Sequence, residues 1–267
     1  MKTRNVFAAV LLALMASAPV QAQEKYFAPA TQEAATPDAE GFIRRWTVLE
    51  PISKTNRSNT VFVDSYLREV FAKEYFKNQM TILPKDGQKV KVTFERQKQQ
   101  PQQARPAGQP GQGAAPGQGG APMMDFRRMQ QGPVEMETAT ETLKWHKLDS
   151  KHYNFKLMRF GEHEINRVYG VIYWAVTVIN CDEDMNDVRL SVGSNSASQW
   201  WVNGEDVLLL SSDRRMVADD CMSHRINLKK GENIIRGAII NGPGMSDFCV
   251  RLVDENGKVI KSGYTIK

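Results

Sequence analysis

Serine, histidine and aspartate occur close together in one part of this chain, in Gly193-Ser194-Asn195-Ser196 and, downstream, Asp220 and His224. A hydroxyl, an imidazole and a carboxylate are the ingredients of acyl transfer, and an esterase built on them would fail on Ser194→Ala, Ser196→Ala or His224→Ala. Such enzymes present the nucleophile on a strained turn, and the G-x-S-x-G elbow is missing. Asp220 and His224 stand four apart in a loop, a spacing that fixes no geometry. A flexible connection between strands is the better reading of 193–196, and no catalytic residue is assigned. His163, one of four histidines, sits in Gly161-Glu162-His163-Glu164; metal ligation is conceivable, but H-E-x-x-H and H-x-H spacings are absent and a surface loop is favoured. Asp182, Asp184 and Asp187 crowd hard carboxylate oxygens into one loop and could hold a structural Ca²⁺. They lack the EF-hand order of ligands and glycine, which favours a solvated turn. No other cofactor is implied.

Sugar recognition asks for an aromatic face to stack on a pyranose and for planar polar groups to meet its hydroxyls. Trp200 and Trp201 are the aromatic candidates; as strand neighbours they point to opposite sides, so one should face away from the core. Asn195, Gln199, Asn203, Arg214, Arg215 and Asn241 lie where loops could converge on one rim. The competing reading of a Trp beside Asn-Gly is hairpin packing.

These residues hang on an antiparallel framework. Val188, Leu190 and Val192 alternate with polar residues, a Gly/Ser/Asn cluster interrupts, Trp200 to Val202 resumes, and Asn203-Gly204 marks a type I′ hairpin turn. Ile226 to Asn241 repeats the logic around Lys230-Gly231-Glu232-Asn233. Val168 to Asn180 is apolar on both faces, the mark of a central strand covered from both sides. Asp64 to Phe76 predicts one added helix, with Asp64 or Ser65 as N-cap and Leu67, Val70, Phe71 and Tyr75 on one face. Arg159 to Arg167 reads as a loop, Phe248 to Val253 as a strand, and Lys258 to Ile260 as a short closing strand. Gln97 to Pro133 is Gln, Pro, Gly and Ala, a disordered loop inserted between two strands.

The sequence Trp201-Val202-Asn203-Gly204-Glu205-x-Val207, then Leu228-Lys229-Lys230-Gly231-x-Asn233, then Phe248-x-Val250-Arg251-Leu252 resembles the galactose-binding-like β-sandwich (jelly roll) modules of bacterial polysaccharide-degradation systems. The likeness runs from about Gly170 to the C-terminus and is fainter in Phe42 to Pro51. It implies an all-β antiparallel sandwich and a polysaccharide or oligosaccharide ligand; many such modules also hold structural calcium. Similar proteins are sometimes labelled acetylxylan esterase, a name that can pass from a neighbouring catalytic domain to a lone sandwich.

Lys2 and Arg4 precede an apolar run, Val6 to Met15, and small residues reach Ala22, so residues 1–22 read as a cleavable secretory signal. The mature product is expected to be exported, periplasmic or extracellular, with no membrane span. Residues 23–40 read as a flexible tether and 41–267 as the sandwich domain, interrupted by the 97–133 insertion. Losing Lys2 and Arg4 lowers the formal net charge from +5 to about +3, without the basic stripe nucleic acid demands. Of three cysteines, Cys181 and Cys221 could bridge while Cys249 is a buried small hydrophobe; three unpaired buried thiols is the equal alternative. The favoured function is an exported, non-catalytic carbohydrate-binding or accessory module. The alternatives are a carbohydrate esterase and an envelope protein-protein interaction module using the inserted loop.

Overall fold

A computed structural model describes residues 25–53, 62–97, 135–165, 167, 170–195, 197–241 and 245–267. The strands run β1 (Phe27–Pro29), β2 (Arg45–Leu49), β3 (Ile52–Ser53), β4 (Lys89–Gln97), β5 (Met136–Ser150), β6 (Val171–Cys181), β7 (Met185–Ser194), β8 (Ala197–Val202), β9 (Glu205–Leu210), β10 (Cys221–Met222), β11 (Ile226–Leu228), β12 (Gly231–Ile240), β13 (Phe248–Val253) and β14 (Tyr264–Ile266). Helix α1 (Asp64–Ala72) lies between β3 and β4, and α2 (Leu157–Glu164) between β5 and β6.

All pairings are antiparallel. The larger sheet has the order β1-β5-β2-β6-β12-β8-β9, with β3 and β14 also on β6 and β4 on β5; the smaller sheet is β10-β7-β11 with β13 on β7. The chain is thus an antiparallel β-sandwich. Because successive strand residues point to opposite faces, β6 feeds two cores at once. Tyr173, Ala175 and Ile179 enter the core shared with the smaller sheet, beside Leu190, Val192, Phe248 and Val250. Ile172, Trp174 and Val176 enter a second core under α1 and the β4–β5 hairpin, beside Leu67, Phe71, Phe76 and Trp145. The absence of polar alternation in β6 has this cause.

The hairpin of β8 and β9 turns on Asn203 and Gly204, both at positive φ (51° and 86°), the backbone a type I′ turn requires. Gln97 pairs with Met136 at the base of the β4–β5 hairpin. The glutamine- and proline-rich stretch beyond that pair, like residues 1–22 that read as a secretory signal, lies outside the described residues.

Four expectations need correction. Residues 27–35 are tied down rather than tethering: Phe27 is buried, β1 pairs with β5, and Ala35 bridges Ile266. Buried Arg45 completes this, clasping Asp149 with two bonds (2.7 and 2.8 Å) and donating to the Glu33 carbonyl and the Thr31 hydroxyl. Isolated anchors leave no periodic pattern to read. Helix α1 stops at Ala72, with extended backbone at Lys73, and its N-cap is Val63 without a side-chain bond. Leu157–Glu164 form a helix, where Arg159 to Arg167 reads as a loop. Leu157, Phe160 and Gly161 face inward, and Gly161 is required because a Cβ there would sit 2.4 Å from the Tyr173 hydroxyl. The last strand is Tyr264–Ile266 on β6, while Val259 contributes only a single bridge to Val253.

Candidate functional site

The loops at one end of the sandwich are drawn together by backbone bonds. Phe155 and Phe248 exchange N–H···O bonds (2.7 and 3.2 Å), the Asn195 N–H donates to the Asp247 carbonyl (2.8 Å), and the Asp247 N–H returns a bond to Asn195 Oδ1 (3.2 Å). Lys151 N–H donates to the Tyr26 carbonyl, fastening the chain before β1 to the turn after β5. Beneath these bonds the rings of Phe155 and Phe248 stack at 5.5 Å, with Phe27 against Phe155 at 4.7 Å. Buried aromatic packing therefore fixes the position of the polar residues above it.

Above this floor lies an open cleft of about 440 Å³ lined by Tyr26, His152, Tyr153, Asn154, Lys156, Asn195, Arg215, Met216, Met245 and Asp247. Tyr153 is 43% exposed and leans on Phe42, with centroids 5.2 Å apart. The Tyr26 ring sits 5.8 Å from His152 and carries the Arg159 guanidinium 5.7 Å from its centroid. Asp247 is buried at the base. Its Oδ2 accepts bonds from Lys156 Nζ (2.6 Å) and Asn154 Nδ2 (3.2 Å), while Oδ1 is buried without a protein partner. Burial pushes this carboxyl above its ordinary range, against the opposing pull of Lys156, Arg159 and His152. Aromatic faces, two amides, cations and one deep acceptor are what a polyhydroxylated ring requires.

Of the candidates named from sequence, Asn195 lies in this cleft. Trp200 and Trp201 do not, and neither faces solvent. Trp200 is 0% exposed, its Nε1–H donating to Ser198 Oγ (2.9 Å) and its ring packed on Trp46 and Phe248. Trp201 is 7% exposed and stacks on Trp174 at 5.7 Å and 15° in the second core. The two do point to opposite sides, but both sides are covered. Asn203 spends its side chain within the fold, donating to Asn233 Oδ1 and accepting from the Ile234 N–H. Gln199 is buried and donates to Asp206. Arg214 forms a two-toothed bond to Asp220 (2.8 and 2.6 Å); its neighbour Arg215 reaches the cleft instead. Asn241 is buried, bonded to Ser246 and the Val171 carbonyl.

The residues considered for an esterase are not aligned. His224 Nε2 lies 3.1 Å from Glu205, Asp220 holds Arg214, and buried Ser194 donates to the Asn195 carbonyl; Ser196 lies outside the described residues. In the acidic loop, Asp184 accepts from the Lys230 N–H and from Lys229 Nζ, and these bonds, the backbone one foremost, lower its pKa. Asp182, Asp184 and Asp187 are all exposed and do not gather their oxygens as a metal site would; among the described residues the group that does so is Glu50, His146 and Glu164. Cys181, Cys221 and Cys249 are free thiols. No helix among the described residues is long and apolar enough to cross a membrane.

Tyr26, His152, Tyr153, Asn154, Lys156 and Asp247 went unread as site residues. Tyr26 falls in the stretch read as a tether, Tyr153 in the strand pattern that its alternation with Phe155 and Leu157 suggests, and the others in irregular stretches. Asp247 alone had a signal, a lone acid directly before the apolar run of β13. No protein family, curated protein or solved structure matches the chain.

Proposed function

We propose that this chain is an exported, non-catalytic carbohydrate-binding or accessory module of a polysaccharide-utilisation system, a galactose-binding-like jelly roll whose ligand sits in the cleft between Tyr153 and Asn195. The observation that carries this reading is the cleft itself. Its volume of about 440 Å³ falls in the range of small-ligand sites, about 300–1,000 Å³. Tyr153 offers the apolar face of one or two sugar rings a platform. Asn154, Asn195, Arg215 and the base of Asp247 offer donors and acceptors at different heights. Lys156 balances Asp247, so the ligand can be neutral.

The test is a polysaccharide and glycan array followed by calorimetry on the best ligand. Tyr153→Ala and Asn195→Ala should each weaken binding at least about tenfold, at about 1.4 kcal/mol per decade. Binding to no glycan, or affinity unchanged in both variants, would refute the proposal.

A further inference from the structure

We infer that Glu50, His146 and Glu164 form a binding site for a divalent first-row transition cation of the zinc class. The three residues come from separate elements: the residue after β2, the middle of β5 and the last residue of α2. Their ligand atoms lie within 4.8 Å of one another. His146 Nε2 stands 3.1 Å from Glu50 Oε1 and 3.3 Å from Glu164 Oε2.

A single imidazole nitrogen carries at most one proton, so it can serve only one of these oxygens well as a hydrogen-bond donor. The same spacing suits a cation at the centre of the group. Zinc bonds of about 2.0–2.1 Å at tetrahedral angles put neighbouring ligand atoms about 3.3–3.4 Å apart.

The outer oxygens are braced from behind. Glu50 Oε2 accepts the Lys144 N–H at 2.9 Å, and Glu164 Oε1 lies 2.9 Å from His163 Nδ1. Phe160 meets the His146 ring edge-on at 5.3 Å and limits its rotation. Ligands held in orientation by an outer layer of donors are the usual construction of a metal centre.

Side-chain exposures of 9% for His146 and 11% for each glutamate leave the group largely desolvated yet reachable from solvent. Mixed nitrogen and oxygen ligands favour zinc-class cations over calcium or magnesium, which prefer oxygen alone. The site shares no residue with the cleft, so its fate is independent of glycan binding.

The experiment titrates ZnCl₂ into untagged, chelator-stripped protein by calorimetry, and records the visible absorption of the Co²⁺ form. One equivalent should bind, His146→Gln and Glu164→Gln should each abolish binding, and His163→Ala should weaken it about 10–100-fold. Circular dichroism checks each variant's fold; should His146→Gln misfold, Glu164→Gln at the helix end decides. Wild-type protein that takes up no stoichiometric Zn²⁺ would leave an ion pair only and overturn the inference. So would unchanged binding in the folded variants.

Discussion

Gly237 and Trp200 are cross-strand partners on β12 and β8, and the indole lies directly over the glycine. A Cβ on Gly237 would stand 2.5 Å from Trp200 Cζ3 and 2.8 Å from Cε3 and Cη2. The ring has little freedom to yield, because its Nε1–H holds Ser198 Oγ and its faces and edges meet Trp46 and Phe248. Gly237→Ala is therefore an overpacking substitution, costing about 1–3 kcal/mol. For a domain of this size each kcal/mol lowers Tm by about 2–4 °C, so the expected fall is about 2–12 °C. Trp200→Leu removes the clashing atoms but leaves a cavity, with a cost bounded by the about 3–5 kcal/mol typical of Trp→Ala. Combined, the two substitutions should cost less than their sum, with a coupling of about 0.5–3 kcal/mol, because the methyl added by Gly237→Ala then helps fill the space. Urea denaturation of the four proteins in the cycle measures this. Additive costs, or a harmless Gly237→Ala, would refute the placement of Trp200 in the core.

Electrostatics gives two expectations of opposite sign. Because burial raises the Asp247 pKa, folding favours its protonated form, and the associated stability is present below the ordinary value of 3.8 and lost as pH rises through the folded pKa. Wild type should thus lose stability relative to Asp247→Asn as pH rises across that window; a flat difference in pH-dependent denaturation would contradict it. Asp219 behaves the other way. Arg251 and Ser191 hydrogen bonds lower its pKa despite partial burial, so its contribution is present above 3.8 and lost as pH falls through the folded pKa. Asp219→Asn should therefore destabilise at neutral pH, with the deficit shrinking in acid, and a deficit that grows in acid would be inconsistent. For the thiols, burial raises all three, Cys249 up to about 12, but Cys221 is half-buried where Cys181 and Cys249 are buried. A thiol reagent should count three free thiols after denaturation and label Cys221 first in native protein; a denatured count of one would establish a disulfide.

The sandwich was legible because its strands obey one-dimensional rules. The apolar run Val168 to Asn180 announces burial on both faces, and Asn203-Gly204 announces its turn through the φ those residues tolerate. The candidate site was much less legible. Trp200 and Trp201 looked available because period-two alternation says which residues share a face but not whether that face is covered. The covering layer, α1 with the β4–β5 hairpin, pairs residues across a 38-residue gap between Gln97 and Met136. The cleft joins residues as distant as Tyr26 and Asp247, and its polar lining sits in loops, where spacing carries no geometry. Glu50, His146 and Glu164 escaped because they come from three separate elements, and because the polar composition of Arg159 to Arg167 reads as a loop; Gly161 lets that helix pack on Tyr173.

Whether the cleft is the ligand site is tested most directly by titrating isotope-labelled protein with the best glycan from the array and following backbone amide shifts. Saturable shifts should concentrate at His152, Tyr153, Asn154, Asn195 and Asp247, leaving Asn203, Glu205 and the acidic loop at Asp182 to Asp187 unmoved. Shifts centred on the β8–β9 hairpin, with the cleft silent, would contradict the assignment.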